Sequence, residues 1–330
     1  MTRKFKENVS LAAYSNYNIG GPARYFFEAK SEDDVRWAIG EAKKMKAPVF
    51  ILAGGTNVLI SDEGWSGLIL RPCIMGLKAK GTTIEAGAGV LMGDLLKFAQ
   101  KNSLTGLEWA GGLPGTVGGA IRGNAGCFGG EIKDAVKTVK VLDVKTMKTK
   151  TCAAKECAFK YRESIFKKKN GAEIILSTTF SLAKGDKKEI ARATDEKIAH
   201  RAKNHPLEHP NLGSTFKNVP LWDIHKKGSI RYKKALVKSR IEYRGSTFSI
   251  KKDPFPVISA AKLISESGLR GVSYGGAMIS PKHPNFIVNV LGAGSPHIKG
   301  LINLAKSSVF RKFGVRLEEE VGILDPIREL

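Results

Sequence analysis

GGLPGTVGGAIRGNAG, residues 111–126, has glycine at seven of its sixteen positions and keeps single Leu, Val and Ile residues between them. Glycine removes the side chain and opens positive φ, so a stretch this rich in it brings backbone close to something. Two further turns share the habit: GGTN at 54–57 and GAG at 87–89. Each follows a strand-like run, PVFILA (48–53) or GTTIEA (81–86). Taken together, the three turns predict main-chain amides gathered around an extended phosphate ligand. A Rossmann fingerprint is the competing reading, since Gly87, Gly89 and Gly93 stand between a strand and a helix. It fails in detail, because the third glycine is one place late and Glu108 in GLEWAGG has no strand to deliver it.

Working outward, strand and helix patterns alternate through the first half of the chain. SEDDVRWAIGEAKKMKA (31–47) has a Ser cap, an acidic first turn, and Val35, Ala38, Ile39 and Ala42 at helical spacing. DLLKFAQKN (94–102) continues as an amphipathic helix after the second glycine turn. Near Pro256 another helix is expected, with Val257, Ala260, Ala261 and Ile264 on one face and Gly268 at its end.

The 330 residues are 42 % hydrophobic and 26 % charged, a globular composition with room for two or three domains. The longest apolar run, Val49 to Ala53, is far short of the roughly 20 residues that span a bilayer. MTRKFKENVS has no apolar stretch behind its basic residues, so a cytoplasmic protein with no membrane association is expected. Cys73, Cys127, Cys152 and Cys157 are scattered and read as reduced thiols. His200, His205 and His209 are separated by Pro206, and no metal site is expected of them.

The net charge of +23 would attract any polyanion. It is densest over residues 222–252, where ten Lys or Arg face only Asp223 and Glu242. Aromatics are only 8 % of the chain, too few to suggest a base-stacking platform, so nucleic acid is not the expected partner. A solvated basic surface insert is the plain reading of this segment.

NIGGPA (18–23), AGGTNVLISDEG (53–64), GLEWAGGLPGTVGGAIRGNAG (106–126), YRES (161–164), GSTFKN (213–218), AAKLISESGLRG (260–271) and LEEEV (317–321) stand in this order along the chain. In these blocks the sequence resembles the bacterial UDP-N-acetylenolpyruvoylglucosamine reductases over nearly its whole length. The resemblance implies an α+β protein. A non-Rossmann FAD-binding region of two subdomains, residues 1–75 and 76–185, is shared with flavin oxidases and precedes an α+β substrate domain, 186–330. The short path from YRES to GSTFKN looks like the compact subtype of the family. FAD and NADPH are the implied cofactors, and the enolpyruvyl UDP-sugar is the implied substrate. No pattern specifies an oligomeric state.

By the same resemblance Ser214 donates a proton to C2 of the substrate, and Arg162 and Glu320 stabilise the enol-like intermediate. Gly54, Gly55, Thr56, Asn57, Gly87, Gly89, Gly112, Pro114, Gly115, Thr116, Gly118 and Gly119 would hold FAD. Tyr161, Lys217 and Asn218 would meet the substrate. Serine is a poor acid in water, so Ser214 needs a cationic setting that Lys217 and Arg162 could supply. Period-two alternation in VRLEEEVGIL puts Glu319, not Glu320, on the face of Val315, Leu317, Val321 and Ile323. Glu319 therefore stays in reserve for the carboxylate role. FKNV lacks the family's usual proline, and residues 219–255 form a basic insert. Two other functions remain open from the sequence: a polyanion-binding protein working through that insert, or a related FAD oxidoreductase with another substrate.

Overall fold

In the computed structural model, which describes residues 3–225 and 230–326, Ser31 caps the helix Glu32–Lys44. Its side chain accepts from the Asp34 amide, and the Asp34 carboxylate accepts from the Ser31 amide in return. The buried face is Val35, Ala38, Ile39 and Ala42. These side chains pack with Leu68 and Leu70 of one sheet and with Leu142, Ile174 and Leu176 of another. Fully burying Val35 or Ile39 contributes roughly 1.5–3 kcal/mol each, so this helix fastens two sheets together.

The first sheet runs in the order Lys6–Ser10, Pro22–Ala29, Trp65–Pro72, Val49–Ile51. Its outer pair is antiparallel and the rest is parallel. The second sheet is antiparallel throughout, in the order Thr149–Ala153, Val136–Asp143, Glu173–Ser181, Thr83–Gly87, Leu77–Lys80. The helices Met92–Lys101 and Val117–Gly123 supply its core with Leu95, Leu96, Val117 and Ile121. A third core is built on the strands Ala277–Ile279 and Ile287–Asn289 and the helices Ala260–Glu266 and Ser295–Phe313.

Two expectations change at this level, and one contact bears on the domain boundary. The helix Lys187–Asn204 packs on the second unit, where Arg201 Nε donates to the Gly111 carbonyl at 2.9 Å. A boundary at 185/186 would cut it from the glycine stretch it supports. The segment near Pro256 is a short strand, Pro256–Ile258, and its helix begins only at Ala260. The segment 219–255 is also no plain solvated insert, although its residues 226–229 lie outside the described ones. Leu221, Tyr232, Ala235, Ile241 and Phe248 are buried in the third core, and the Phe248 ring meets Phe313 edge to face at 5.4 Å. Its described lysines and arginines are exposed on the outer side of a segment that is apolar inside.

Candidate active site

The glycine turns approach one another first. A Cβ on Gly54 would lie 2.9 Å from the Gly115 Cα, and one on Gly115 would lie 2.8 Å from Thr56 Oγ1. Where GGTN crosses GLPGT, a pair of adjoining cavities of about 410 and 780 Å³ opens. Gly54, Thr56 and Pro114 border both; Gly55, Asn57, Gly115, Thr116 and Gly119 line the smaller and Gly112 the larger. Among the described residues, the amides of Gly54, Gly55, Thr56, Gly115 and Thr116 have no acceptor within the protein. Buried or half-buried amides need a partner, and amides on glycine turns beside a helix N-terminus suit a diphosphate. The cradle therefore fits the pyrophosphate of a dinucleotide such as FAD.

Gly87, Gly89 and Gly118 stand outside that lining. Gly87 N–H donates to the Gly76 carbonyl, Gly89 N–H to Ile74 and Gly118 N–H to Ala88. An added Cβ at Gly89 would also lie 2.7 Å from the Cys73 carbonyl carbon. These glycines let backbone cross backbone, and their amides are occupied. The expectation of three turns around one phosphate reduces to two.

The tail of the glycine stretch carries the YRES segment. Ser164 Oγ donates to the Arg122 carbonyl at 2.6 Å, Asn124 Nδ2 to Lys160 at 2.9 Å, and Arg162 Nη2 to Gly126 at 2.7 Å. Arg162 holds φ at +54°, an uncommon conformation for a residue with a Cβ. Lys167 Nζ donates to its carbonyl at 3.0 Å. At the other end of the side chain, Arg162 Nε donates to Glu320 Oε1 at 2.7 Å. Burial opposes the guanidinium charge, yet the Glu320 carboxylate and the Tyr161 phenol beside it raise Arg162 above its ordinary value.

Glu320 is placed by the GSTF segment. A single antiparallel bridge joins Phe216 to Glu319, with Glu320 N–H donating to Thr215 at 2.8 Å and Lys217 N–H to Glu318 at 2.9 Å. Asn57 Nδ2 also donates to the Glu320 carbonyl at 3.1 Å, so this side chain of the first glycine turn holds the terminal segment. Ser214, Arg162, Glu320 and Asn218 line the smaller cavity together. Glu319 instead pairs with Lys306 at 2.7 Å. The alternation that favoured Glu319 does not continue: Val321 and Leu324 are buried while Ile323 is 43 % exposed. Only Gly322–Leu324 forms a strand, parallel to Val58–Ile60.

Lys217 does not join this wall. Its ammonium pairs with Glu318, and an extended segment turns the neighbours Lys217 and Asn218 to opposite sides. Tyr161 also stands back from the lining. Its hydroxyl accepts from Asn218 N–H at 3.3 Å, its ring meets Phe255 edge to face, and burial pushes its phenol up to about 12. Four charged residues that the motifs did not single out border the cavity: Arg122, Lys167, Arg201 and Asp253. Burial, then the nearby cations Lys217 and Arg122, hold Lys167 below the ordinary lysine range, and burial lowers Arg122 as well. Arg122 lay inside the quoted stretch, but Lys167 belongs to a run of three lysines that reads as a solvated face.

Comparison with known proteins bears on this arrangement. Residues 23–152 match the family model of an FAD binding domain, and residues 205–324 match the UDP-N-acetylenolpyruvoylglucosamine reductase C-terminal domain. The UDP-N-acetylenolpyruvoylglucosamine reductase of Clostridium novyi (strain NT) is 34 % identical over 97 % of this chain and 92 % of its own. This chain belongs to that reductase family. The family's member from Carboxydothermus hydrogenoformans is 36 % identical, covering 96 % of this chain and 93 % of its own. The crystal structure of the reductase from Thermus caldophilus superposes with a TM-score of 0.74 at 27 % identity, over 98 % of this chain and 99 % of that one. Among the described residues, no helix is long and apolar enough to cross a membrane.

Proposed function

We propose that the protein is a cytoplasmic flavoprotein reductase that uses NADPH to reduce the enolpyruvyl group of UDP-N-acetylenolpyruvoylglucosamine, giving UDP-N-acetylmuramate for peptidoglycan precursor synthesis. The observation that carries this reading is the Arg162–Glu320 pair, which borders one cavity with Ser214 and with the unpaired amides of two glycine turns. Family membership supplies the substrate.

Gly54, Gly55, Thr56, Gly115 and Thr116 would hold the FAD pyrophosphate on their amides, with Gly112, Pro114 and Gly119 shaping the walls. Bound FAD supplies hydride transfer from NADPH to the terminal carbon of the enolpyruvyl double bond. Negative charge then develops at C2 and on the adjoining carboxylate, and the protein must meet it with donors already in place. Arg162 is such a donor, because Glu320, Gly126 and the Lys167 bond to its carbonyl fix it from three directions. Ser214 gives its Oγ proton to C2. Asn218 borders the same space and receives the substrate, while Tyr161 acts by holding the Asn218 backbone and Lys217 by holding Glu318. The domain assignment follows: residues 1–75 and 76–204 form the cofactor region, and the remainder carries Ser214 and Glu320 to it.

The test is anaerobic. The purified protein is reduced with NADPH, and the enolpyruvyl UDP-sugar is then added. A flavin spectrum that bleaches and returns with the sugar is the expected result. Bleaching without return would leave a flavoprotein with another substrate, and a protein unable to take up flavin would overturn the reading altogether.

A further inference from the structure

Charge around the reacting centre is unevenly neutralised. Arg162 is matched by Glu320, Lys217 by Glu318 and Lys306 by Glu319. Three cations on the wall of the same cavity have no carboxylate partner among the described residues; the Arg201 guanidinium is held by the Gly111 carbonyl and Cys127 Sγ, which leaves Arg122 and Lys167. Lys167 spends one of its three N–H donors on the Arg162 carbonyl, at 3.0 Å, and keeps two. No hydrogen bond of the Arg122 guanidinium to the protein is found, although the residue is only half-exposed. Two unmatched cations in a partly desolvated wall are unfavourable in isolation and favourable beside an anion.

Two groups in the proposed reaction could be that anion near Arg162: the substrate carboxylate and a phosphate. The cofactor pyrophosphate is set apart by geometry. Arg122 lies in the last turn of the helix Val117–Gly123, six residues beyond Thr116 and so about 9 Å along the axis from the free amides. Lys167 is bonded to the backbone carbonyl of Arg162, the residue assigned to the developing charge. The Arg162–Glu320 pair carries no net charge, yet hydride arrival turns a substrate carrying one carboxylate charge into a species carrying two. Of the unmatched cations on this wall, Arg122 and Lys167 keep donors free to meet it, whereas Arg201 is bonded to Gly111 and Cys127.

We propose that Arg122 and Lys167 form the subsite that binds the substrate's carboxylate and balances the second negative charge as it develops. The proposal rests on the enolpyruvyl reading of the substrate. Burial that holds both cations below their ordinary values points the same way, since an anion would restore their charge.

The experiment uses the holoenzyme and the variants Lys167→Met, Lys167→Arg and Arg122→Gln. Three quantities are read: affinity for the enolpyruvyl UDP-sugar, affinity for UDP-N-acetylglucosamine, which lacks the carboxylate, and the rate of flavin reoxidation by the enolpyruvyl sugar. Loss of a charge-assisted hydrogen bond predicts roughly 10- to 100-fold weaker binding of the enolpyruvyl sugar. Reoxidation should slow by at least as much, binding of UDP-N-acetylglucosamine should stay within about threefold, and Lys167→Arg should recover most of the loss. Equal weakening of both sugars would assign the cations to the diphosphate and overturn the proposal. Unchanged affinity and rate would overturn it too. Unaltered flavin content and UDP-N-acetylglucosamine binding show that a variant is folded. Failure of the wild-type protein to be reoxidised by the enolpyruvyl sugar is a different outcome, which removes the substrate reading itself.

Discussion

Arg162 and Glu320, separated by 158 positions in the chain, meet at 2.7 Å with their side chains 15 % and 19 % exposed. The pair closes the third unit of the protein onto the second. Glu320→Gln keeps an oxygen for Arg162 to bond while removing the charge. Flavin reduction by NADPH should persist, and reoxidation by the enolpyruvyl sugar should slow by about 10²–10⁴. Glu319→Gln loosens only the pair with Lys306, a partly exposed contact worth at most about 1 kcal/mol. Stopped-flow traces of both variants decide the assignment, and a larger defect in Glu319→Gln would reverse it.

Ser214→Ala separates proton delivery from hydride transfer to flavin. The first half-reaction should be nearly unchanged and the second slower by about 10²–10⁴. Equal losses in the two half-reactions would refute the role given to Ser214.

Two glycines should respond in opposite directions. Gly55 has φ +64°, and an added Cβ would collide with the Tyr14 carbonyl oxygen. Gly55→Ala should therefore lower stability by at least about 2 kcal/mol and reduce bound flavin. Gly40 lies inside the helix Glu32–Lys44 with nothing within 4 Å of a Cβ. Gly40→Ala should raise stability by about 1 kcal/mol through helix propensity. Thermal unfolding with flavin fluorescence reads both.

The rings of His205 and His283 lie 5.6 Å apart, each close to Phe286. Burial lowers both to about 4, with Arg201 and His200 adding to the effect at His205 and Lys251 and Arg270 at His283. Each folded value lies below the ordinary 6.5, so the unfolded chain takes up protons first as pH falls. Their contribution is complete above pH 6.5 and is lost between 6.5 and about 4. The loss should be on the order of 2 kcal/mol, less than two full shifts because both rings keep some hydration. Urea unfolding across this window should show the slope, and His283→Phe should flatten it. An unchanged slope in that variant would place the effect elsewhere.

What the sequence determined alone was largely local. The Ser31 cap, the buried face of Glu32–Lys44 and the strand that ends in GGTN depend on neighbours a few residues apart, and short-range patterning reports them. The family motifs likewise named Ser214, Arg162 and Glu320 as a set, though alternation in LEEEV pulled toward Glu319. Tertiary structure decided what depends on distant partners. Gly87 and Gly89 look like phosphate binders until Gly76 and Ile74 occupy their amides. Lys217 looks like a cation beside Ser214 until Glu318 takes it. The basic segment after Asn218 looks solvated until Phe248 is seen against Phe313, and Lys167 looks like one of three surface lysines until it is found on the Arg162 carbonyl. An amide or a charge is available for chemistry only if no remote group has already satisfied it, and only the folded chain brings those remote groups together.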